Sequence, residues 1–396
     1  MDPALQPLRG SSFGAYEALA SRGVTLMGWA DPFYPDPVTP THVKQATISA
    51  AACEGAHYTL PIGSAEFREA VARRLKRTLG VQIDPRTEIC ATPGSDTGLF
   101  YALRPFIVPG NGDEILVPDP SYANNFLNCA LVGGVCVPVP LRAEVGFQLE
   151  IAAFEQRRTK KSKVILLTNP NNPTTTVYDR ASMQGLADFA IRNDLVVVVD
   201  QAFEDLVYER DAFVMLASLS GMWERTVTVA SLSKGLGLCG YRLGYILAHK
   251  DLMDVYHGAA INILGAPNTI AQRGALAALD DDRYVDGFRR EYQFRALAAC
   301  TALNSIPRVR CHTPESSFFV WVDVSELGTS AEIVRYLIAD ARVAVNPGDI
   351  FGEQGRGYVR IVTGALSDRS AFLDALERIR ASLAKLCGNG RRRIGN

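Results

Sequence analysis

Little in this sequence points to metal, nucleic acid or membrane. Its five histidines, at positions 42, 57, 249, 257 and 312, are scattered without the spacing of metal ligands, so a zinc site is not expected. The eight cysteines, at 53, 90, 129, 136, 239, 300, 311 and 387, include no C-x-x-C pair and stand mostly among apolar neighbours, which reads as a set of reduced core residues. A formal net charge of −1, from 41 basic and 42 acidic side chains, lacks the one-sided field that nucleic acid or an anionic membrane would require. The basic run Arg391, Arg392 and Arg393 reads as a solvated end. No segment reaches the ~18 consecutive apolar residues of a membrane span. The first residues, MDPALQPLRG, hold no apolar run suited to a signal peptide, and a cytoplasmic protein is expected.

What is present is an ordinary globular composition. With 396 residues, 47% of them hydrophobic, the chain can bury a sizeable core in two domains, or in one large domain with an appendage. Residues 1–45 are rich in proline and aromatic side chains, with Pro32, Pro35, Pro37 and Pro40 following GWAD, and are predicted as an arm without regular structure. From Ser64 the pattern turns helical through Phe67, Ala70, Val71 and Leu75, with Ser64 as cap and Gly80 as stop. The run ATPGSDTGLFYALRPF then predicts a glycine turn entering a helix, whose free N–H groups and the hydroxyls of Ser95 and Thr97 suit an anion. A plainly capped helix would look the same.

Beyond it, short apolar runs alternate with helical ones: EILVP at 114–118, VILLT at 164–168, a helix near 180–192, VVVV at 196–199 and VTVA at 227–230. Such runs fit strands covered on both faces, an α/β fold with a mainly parallel sheet flanked by helices. Ligands of such sheets sit beyond the carboxyl ends of the strands. There the chain places Asn172, Asp200 and Lys234 in turn: an amide, an acid and an amine. After residue 276 a long helical run, the strand-like SFFVWVDV, a helix near 330–340, a strand near 343–346, YVRIVTG and a last helix at about 368–386 suggest a smaller α+β unit. Arg360 lies in its strand between Val359 and Ile361, either paired internally or aimed at a carboxylate. The expected division is 1–45 as an arm joining the small domain, 46–275 as the large domain, and 276–396 as the small C-terminal domain.

The richest stretch is ASLSKGLGLCGYRLGY, residues 230–245, in which Ser231 precedes Lys234 by three residues and Arg242 follows it by eight. Its glycines at 235, 237 and 240 match G-x-G-x-x-G, but YRLGYILA after them looks like a strand. A dinucleotide turn needs a helix there and an acid about 20 residues on. A lysine held out of bulk water forms Schiff bases with carbonyls, and an arginine among hydroxyls is what a phosphate monoester needs. The stretch suits an aldehyde that carries a phosphate.

Taken together, SLSK-x7-R, NPNNPT, the aspartate of DQAF, HYT with Gly63, GSD, PDPSY and PGDIFG resemble the aminotransferase class I/II family, pyridoxal 5'-phosphate enzymes of fold type I, over about residues 28–360. The resemblance implies a large domain with a seven-stranded sheet and a smaller α+β domain. It implies that Lys234 forms the Schiff base with the cofactor and acts as acid and base, that Asp200 pairs with the pyridine nitrogen, and that Asn172 donates to the phenolic oxygen. By the same resemblance Tyr122 stacks on the ring, while Ser231, Arg242 and the Ser95–Asp96 turn hold the phosphate. Tyr58 reaches in from a second subunit, which implies a homodimer. Arg360 and Gly28 match the residues at the substrate's α-carboxylate, implying an α-amino acid and a 2-oxo acid as substrates.

The sequence departs from the family pattern in four places. Phe203 stands where a tyrosine is usual, Thr175 for a glycine, Trp29 for an acid, and Ser316 and Ser317 where glycines are frequent. Phenylalanine at the first is also found in relatives with other chemistry, such as capreomycidine synthase, so the alternative to transamination is a lyase, replacement or cyclising enzyme on the same cofactor. A regulator built on this fold would add a DNA-binding domain, and residues 1–45 show no helix-turn-helix pattern. Trp29, Tyr34 and His57 are candidates for the wall of the side-chain pocket.

Overall fold

The computed structural model describes residues 5, 14–33, 39–53 and 55–388, so Pro35, Pro37 and the arginines at 391–393 lie outside the described residues. A helix at Gly14–Ser21 leads to a two-residue strand, β1 (Thr25–Leu26), and Thr41 opens a second helix, Thr41–Cys53. The expectation of an irregular segment up to residue 45 is corrected at both places. AYEALAS is made of good helix formers, and Pro40 stands just outside its helix, where its carbonyl accepts the Lys44 N–H at 3.0 Å and its missing N–H costs nothing. The helix Ala65–Leu79 has the expected ends: Ser64 Oγ accepts from Phe67 N at 3.1 Å, and Gly80 closes it in a left-handed conformation.

Seven strands form the main sheet: β2 (Ile89–Thr92), β3 (Glu114–Asp119), β4 (Val135–Pro140), β5 (Ser162–Thr168), β6 (Val196–Asp200), β7 (Thr226–Ser231) and β8 (Gly244–Leu247), in the order β2-β8-β7-β6-β5-β3-β4. Pairing is parallel from β4 through to β7, and β8 runs antiparallel to both of its neighbours. The fold is therefore α/β with a mainly parallel sheet, as expected. Alternation along a strand decides which layer each residue joins. Val198 packs with Leu99, Tyr101, Met253 and Tyr256 on one face. Val197 and Val199 pack with Met183, Leu186 and Phe189 on the other. Each such fully buried side chain contributes roughly 1.5–3 kcal/mol. The crossover from β6 to β7 carries no α-helix but short 3-10 turns at Glu204–Leu206, Arg210–Ala212, Leu216–Ser218 and Trp223–Arg225.

The remaining strands are β9 (Arg310–Cys311), β10 (Phe319–Asp323), β11 (Val343–Ala344), β12 (Asn346–Pro347) and β13 (Tyr358–Val362). Four of them make an antiparallel sheet ordered β12-β13-β10-β9, covered by the helices Val285–Asn304 and Arg369–Gly388 through Leu303, Val320, Ile361 and Ile379. The strand expected near 343–346 is divided, because β11 pairs in parallel with β1 while β12 pairs with β13. Residues 25–33 thus lie along the second sheet, with Val362 N donating to Met27 O at 2.8 Å and Phe33 N to Gly364 O at 2.7 Å.

Candidate active site

The carboxyl ends of β5, β6 and β7 stand level: Thr168 is opposite Asp200, and Asp200 is opposite Val229. Asp200 is buried at the last position of β6, its Oδ1 accepting the Ala202 N–H at 3.0 Å. Burial pushes its carboxyl up to about 7; the Ala202 bond opposes this, the Asp96 charge adds to it and the Lys234 ammonium opposes it. Lys234 follows β7 by three residues, and its Nζ donates to the Ala30 carbonyl at 2.5 Å and lies 3.8 Å from Cys239 Sγ.

Beside these two groups an anion cradle forms. The helix Ser95–Leu103 opens with Gly94 at φ +84°, where a Cβ would lie 2.5 Å from Arg242 Nη2. The guanidinium therefore occupies the space that a side chain would fill, over the free N–H groups of the first helical turn. Arg242 is held in a left-handed conformation, φ +51°, with Nη1 on the Cys239 carbonyl at 2.9 Å. Ser231 Oγ accepts the Ser233 N–H at 3.2 Å and keeps its proton to donate. A guanidinium, hydroxyls and a helix N-terminus fit a phosphate dianion. In the same turn Asp96 Oδ1 accepts from Tyr122 OH at 2.9 Å and from Asn124 Nδ2 at 3.1 Å.

On the other side lies Arg360. Its Nη1 donates to Asn172 Oδ1 at 2.8 Å, and its Nη2 to Asn346 Oδ1 at 3.0 Å and Gly28 O at 3.3 Å. The guanidinium carbon is 4.7 Å from the Phe351 ring centroid and 5.0 Å from that of Phe319. Tyr122, whose hydroxyl burial keeps protonated, is in electrostatic reach of both Asp200 and Arg360. Phe203 packs its ring against Phe319 at 5.3 Å and Phe318 at 5.7 Å, in an aromatic cluster with Phe33 and Tyr292. Thr175 and Ser317 are both buried at positive φ, 67° and 71°, and Ser316 Oγ donates to Thr175 O at 2.8 Å. The three hydroxyl residues make a seam between the two sheets.

Asp96, Tyr122, Asp200 and Lys234 thus gather around one space, with Ser95, Ser231 and Arg242 at one end and Asn172, Gly28 and Arg360 at the other. Tyr58 is 93% exposed within its own chain. His57 is exposed and Trp29 is 45% exposed, while Tyr34 lies outside the described residues. Sequence reasoning missed Asn124, Asn346 and Phe351, though the last belongs to PGDIFG. It also missed Ala30, which acts through a backbone carbonyl and leaves no side-chain signal. Cys53 is exposed at a helix end, and Cys136, Cys239 and Cys387 are half-buried, which corrects the reading of the cysteines as core residues to Cys90, Cys129, Cys300 and Cys311. Among the described residues no group of three His, Cys, Asp or Glu side chains could hold a metal, and no helix is long and apolar enough to cross a membrane.

Known proteins share both the sequence pattern and the fold. The family profile described as aminotransferase class I and II matches residues 24–379. The chain is 32% identical over 352 residues to an aspartate aminotransferase of Pyrococcus abyssi, covering 87% of this chain and 89% of that protein. It is also 32% identical over 364 residues to aromatic-amino-acid aminotransferase 2 of Thermococcus litoralis, covering 90% and 92%. The solved structure of N-succinyldiaminopimelate aminotransferase from Mycobacterium tuberculosis superimposes with a TM-score of 0.89 at 26% identity, over 96% of this chain and all (100%) of that one. The chain belongs to the aminotransferase class I and II family, and it is an enzyme that transfers nitrogenous groups.

Proposed function

We propose that the chain binds pyridoxal 5'-phosphate through Lys234 and moves an amino group from an α-amino acid to a 2-oxo acid in two half-reactions. The observation that carries this reading is Lys234 and Asp200 at the ends of neighbouring parallel strands, with a phosphate cradle on one side and Arg360 on the other. When bound, the cofactor supplies an aldehyde for the substrate amine and a pyridine ring that withdraws electrons from the adjoining carbon. Asp200 holds the proton on the ring nitrogen; its raised value falls once it faces that N–H, since an ion pair favours the carboxylate. Asn172 accepts from Arg360 through Oδ1, which turns its Nδ2 into the donor for the phenolic oxygen. Tyr122 covers the ring face and keeps water away. Arg360 takes the α-carboxylate in a bidentate pair and, with Gly28, orients the α-carbon, whose proton Lys234 Nζ removes.

The pocket for the substrate side chain is proposed to be completed by a second copy, in a homodimer. Exposed apolar side chains support this: Tyr58 at 93%, Ile48 at 69%, Ile261 at 65% and Leu60 at 57%. We further propose residues 46–275 as the cofactor-binding unit and 276–396 as the smaller one. The arm of 1–45 joins the smaller unit, supported by the pairing of β1 with β11.

The test is a panel of amino acids, each added to the holoenzyme with and without a 2-oxo acid while the cofactor absorbance is followed. Amino acid alone should bleach the lysine-bound chromophore and 2-oxo acid restore it. Borohydride reduction should leave the cofactor mass on the peptide containing Lys234. A panel in which no amino acid bleaches the chromophore, or adduct on another lysine, would overturn the reading.

A further inference from the structure

Arg360 must hold a carboxylate in a fixed direction, yet two of its neighbours, Asn346 and Phe351, belong to a glycine-rich stretch and not to a long strand or helix. Something has to fix that stretch. The group in place is Asp119, the last residue of β3, buried and without an assigned role in the chemistry. Its Oδ2 accepts the Glu353 N–H at 3.0 Å and its Oδ1 the Gln354 N–H at 3.1 Å. Two residues on, Ser121 N donates to the Phe351 carbonyl at 2.9 Å, and Tyr122 follows directly. The carboxyl end of β3 therefore grips residues 351–354 by three hydrogen bonds; burial pushes the Asp119 carboxyl up to about 6, so above that pH two of the three go to a carboxylate and are roughly twice as strong as neutral ones. Gly352 permits the approach: it sits at φ +118°, and a Cβ there would lie 2.0 Å from Asp119 Oδ1.

We propose that Asp119 is a positioning residue whose carboxylate latches the 348–355 loop onto the end of β3 and thereby holds Arg360 in the direction that receives the substrate's α-carboxylate. The chain of contact is short: Asp119 to the Glu353 and Gln354 amides, Phe351 in the same turn, and the Phe351 ring under the Arg360 guanidinium. Because β3 also leads into Tyr122, the latch ties the carboxylate end of the site to the ring end. The inference rests on Arg360 as the carboxylate-binding group and assigns the residue that aligns it.

The test uses holoenzyme of wild type, Asp119→Ala and Asp119→Asn with paired substrates that differ by the carboxylate: alanine and ethylamine, phenylalanine and phenethylamine, glutamate and 4-aminobutyrate. The Ala variant should raise KM for the amino acids by about tenfold to a hundredfold while kcat changes far less, since the misplaced group binds and does not react. The preference for amino acid over amine should shrink by the same factor, with the Asn variant between. Hydrogen exchange should speed up at the amides of 351–354 and stay unchanged in β5 to β7. Gly352→Ala, which pushes the loop off an intact Asp119, must reproduce the KM shift even if Asp119→Ala does not fold. Unchanged discrimination in both Asp119→Asn and Gly352→Ala, or equal loss for amino acid and amine, overturns the latch. A wild type that does not discriminate acid from amine overturns the assignment of Arg360 itself, and that failure is visible before any variant is made.

Discussion

A buried carboxyl at Asp200 faces two opposed demands, since the folded chain resists its charge and the cofactor's ring nitrogen requires it. In the unfolded chain an aspartate ionises near 4, whereas burial raises Asp200 to about 7. The folded protein then binds more protons between those values, so stability from this group is present at low pH and lost as pH rises through about 7. Asp200→Asn should therefore stabilise the cofactor-free protein, by on the order of 1–3 kcal/mol at pH 8 and less at pH 5. Thermal melts at the two pH values read the difference, and cofactor titration should show weaker binding by the same variant. At Phe203 the missing hydroxyl removes a donor to the phenolic oxygen. Phe203→Tyr should lower the pKa of the lysine-bound chromophore, by about one unit or more for a new hydrogen bond to its deprotonated form. An unchanged or higher value in spectrophotometric titration would refute that account. Arg360→Lys keeps the charge but loses the planar fork, and KM for the amino acid should rise at least tenfold, roughly the worth of one charge-assisted hydrogen bond.

Among the elements, the helix at Ser95–Leu103 gains its binding role from the residue before it. Gly94→Ala would place a Cβ against Arg242 and require a positive φ that alanine resists. Cofactor affinity should fall about tenfold or more, the effect of roughly 1–2 kcal/mol, as equilibrium dialysis would show. How far such elements were legible depended on how local their causes are. The helix Ala65–Leu79 could be read from its cap, its stop and the spacing between them. Asp200 and Lys234 could be read because an apolar run ends just before each. The strand Val135–Pro140 was missed: its prolines argue against a strand, yet they are tolerated because β4 is an edge that pairs with β3 alone. The single strand expected near 343–346 could not be divided from sequence, because the partner of its first half is β1, more than three hundred residues earlier. The grip of Asp119 on Glu353 spans 234 positions and leaves no periodic trace in either segment.

At the scale of the whole molecule, the site is shared by distant parts of the chain. Ala30 and Gly28 come from the first segment, Asp200 and Lys234 from the main sheet, and Arg360 from the second sheet. If a second copy adds Tyr58, dilution below the dimer's dissociation constant should lower activity per chain. Tyr58→Phe should weaken cofactor binding by up to about tenfold, the worth of one hydrogen bond to a charged group at its lower end, without altering sedimentation. Activity per chain that stays constant through dissociation would exclude a shared site. The helix-free crossover between β6 and β7 has a practical meaning of its own. Each of its turns closes on itself, and the one at Arg210–Ala212 is largely solvent-exposed. Residues spliced in there lengthen the path without sliding β6 past β7, so Asp200 and Lys234 keep their level while a tag or a surface tether is accommodated. The same freedom is confined to that turn, since residues 203–207 and 214–217 on either side of it are buried.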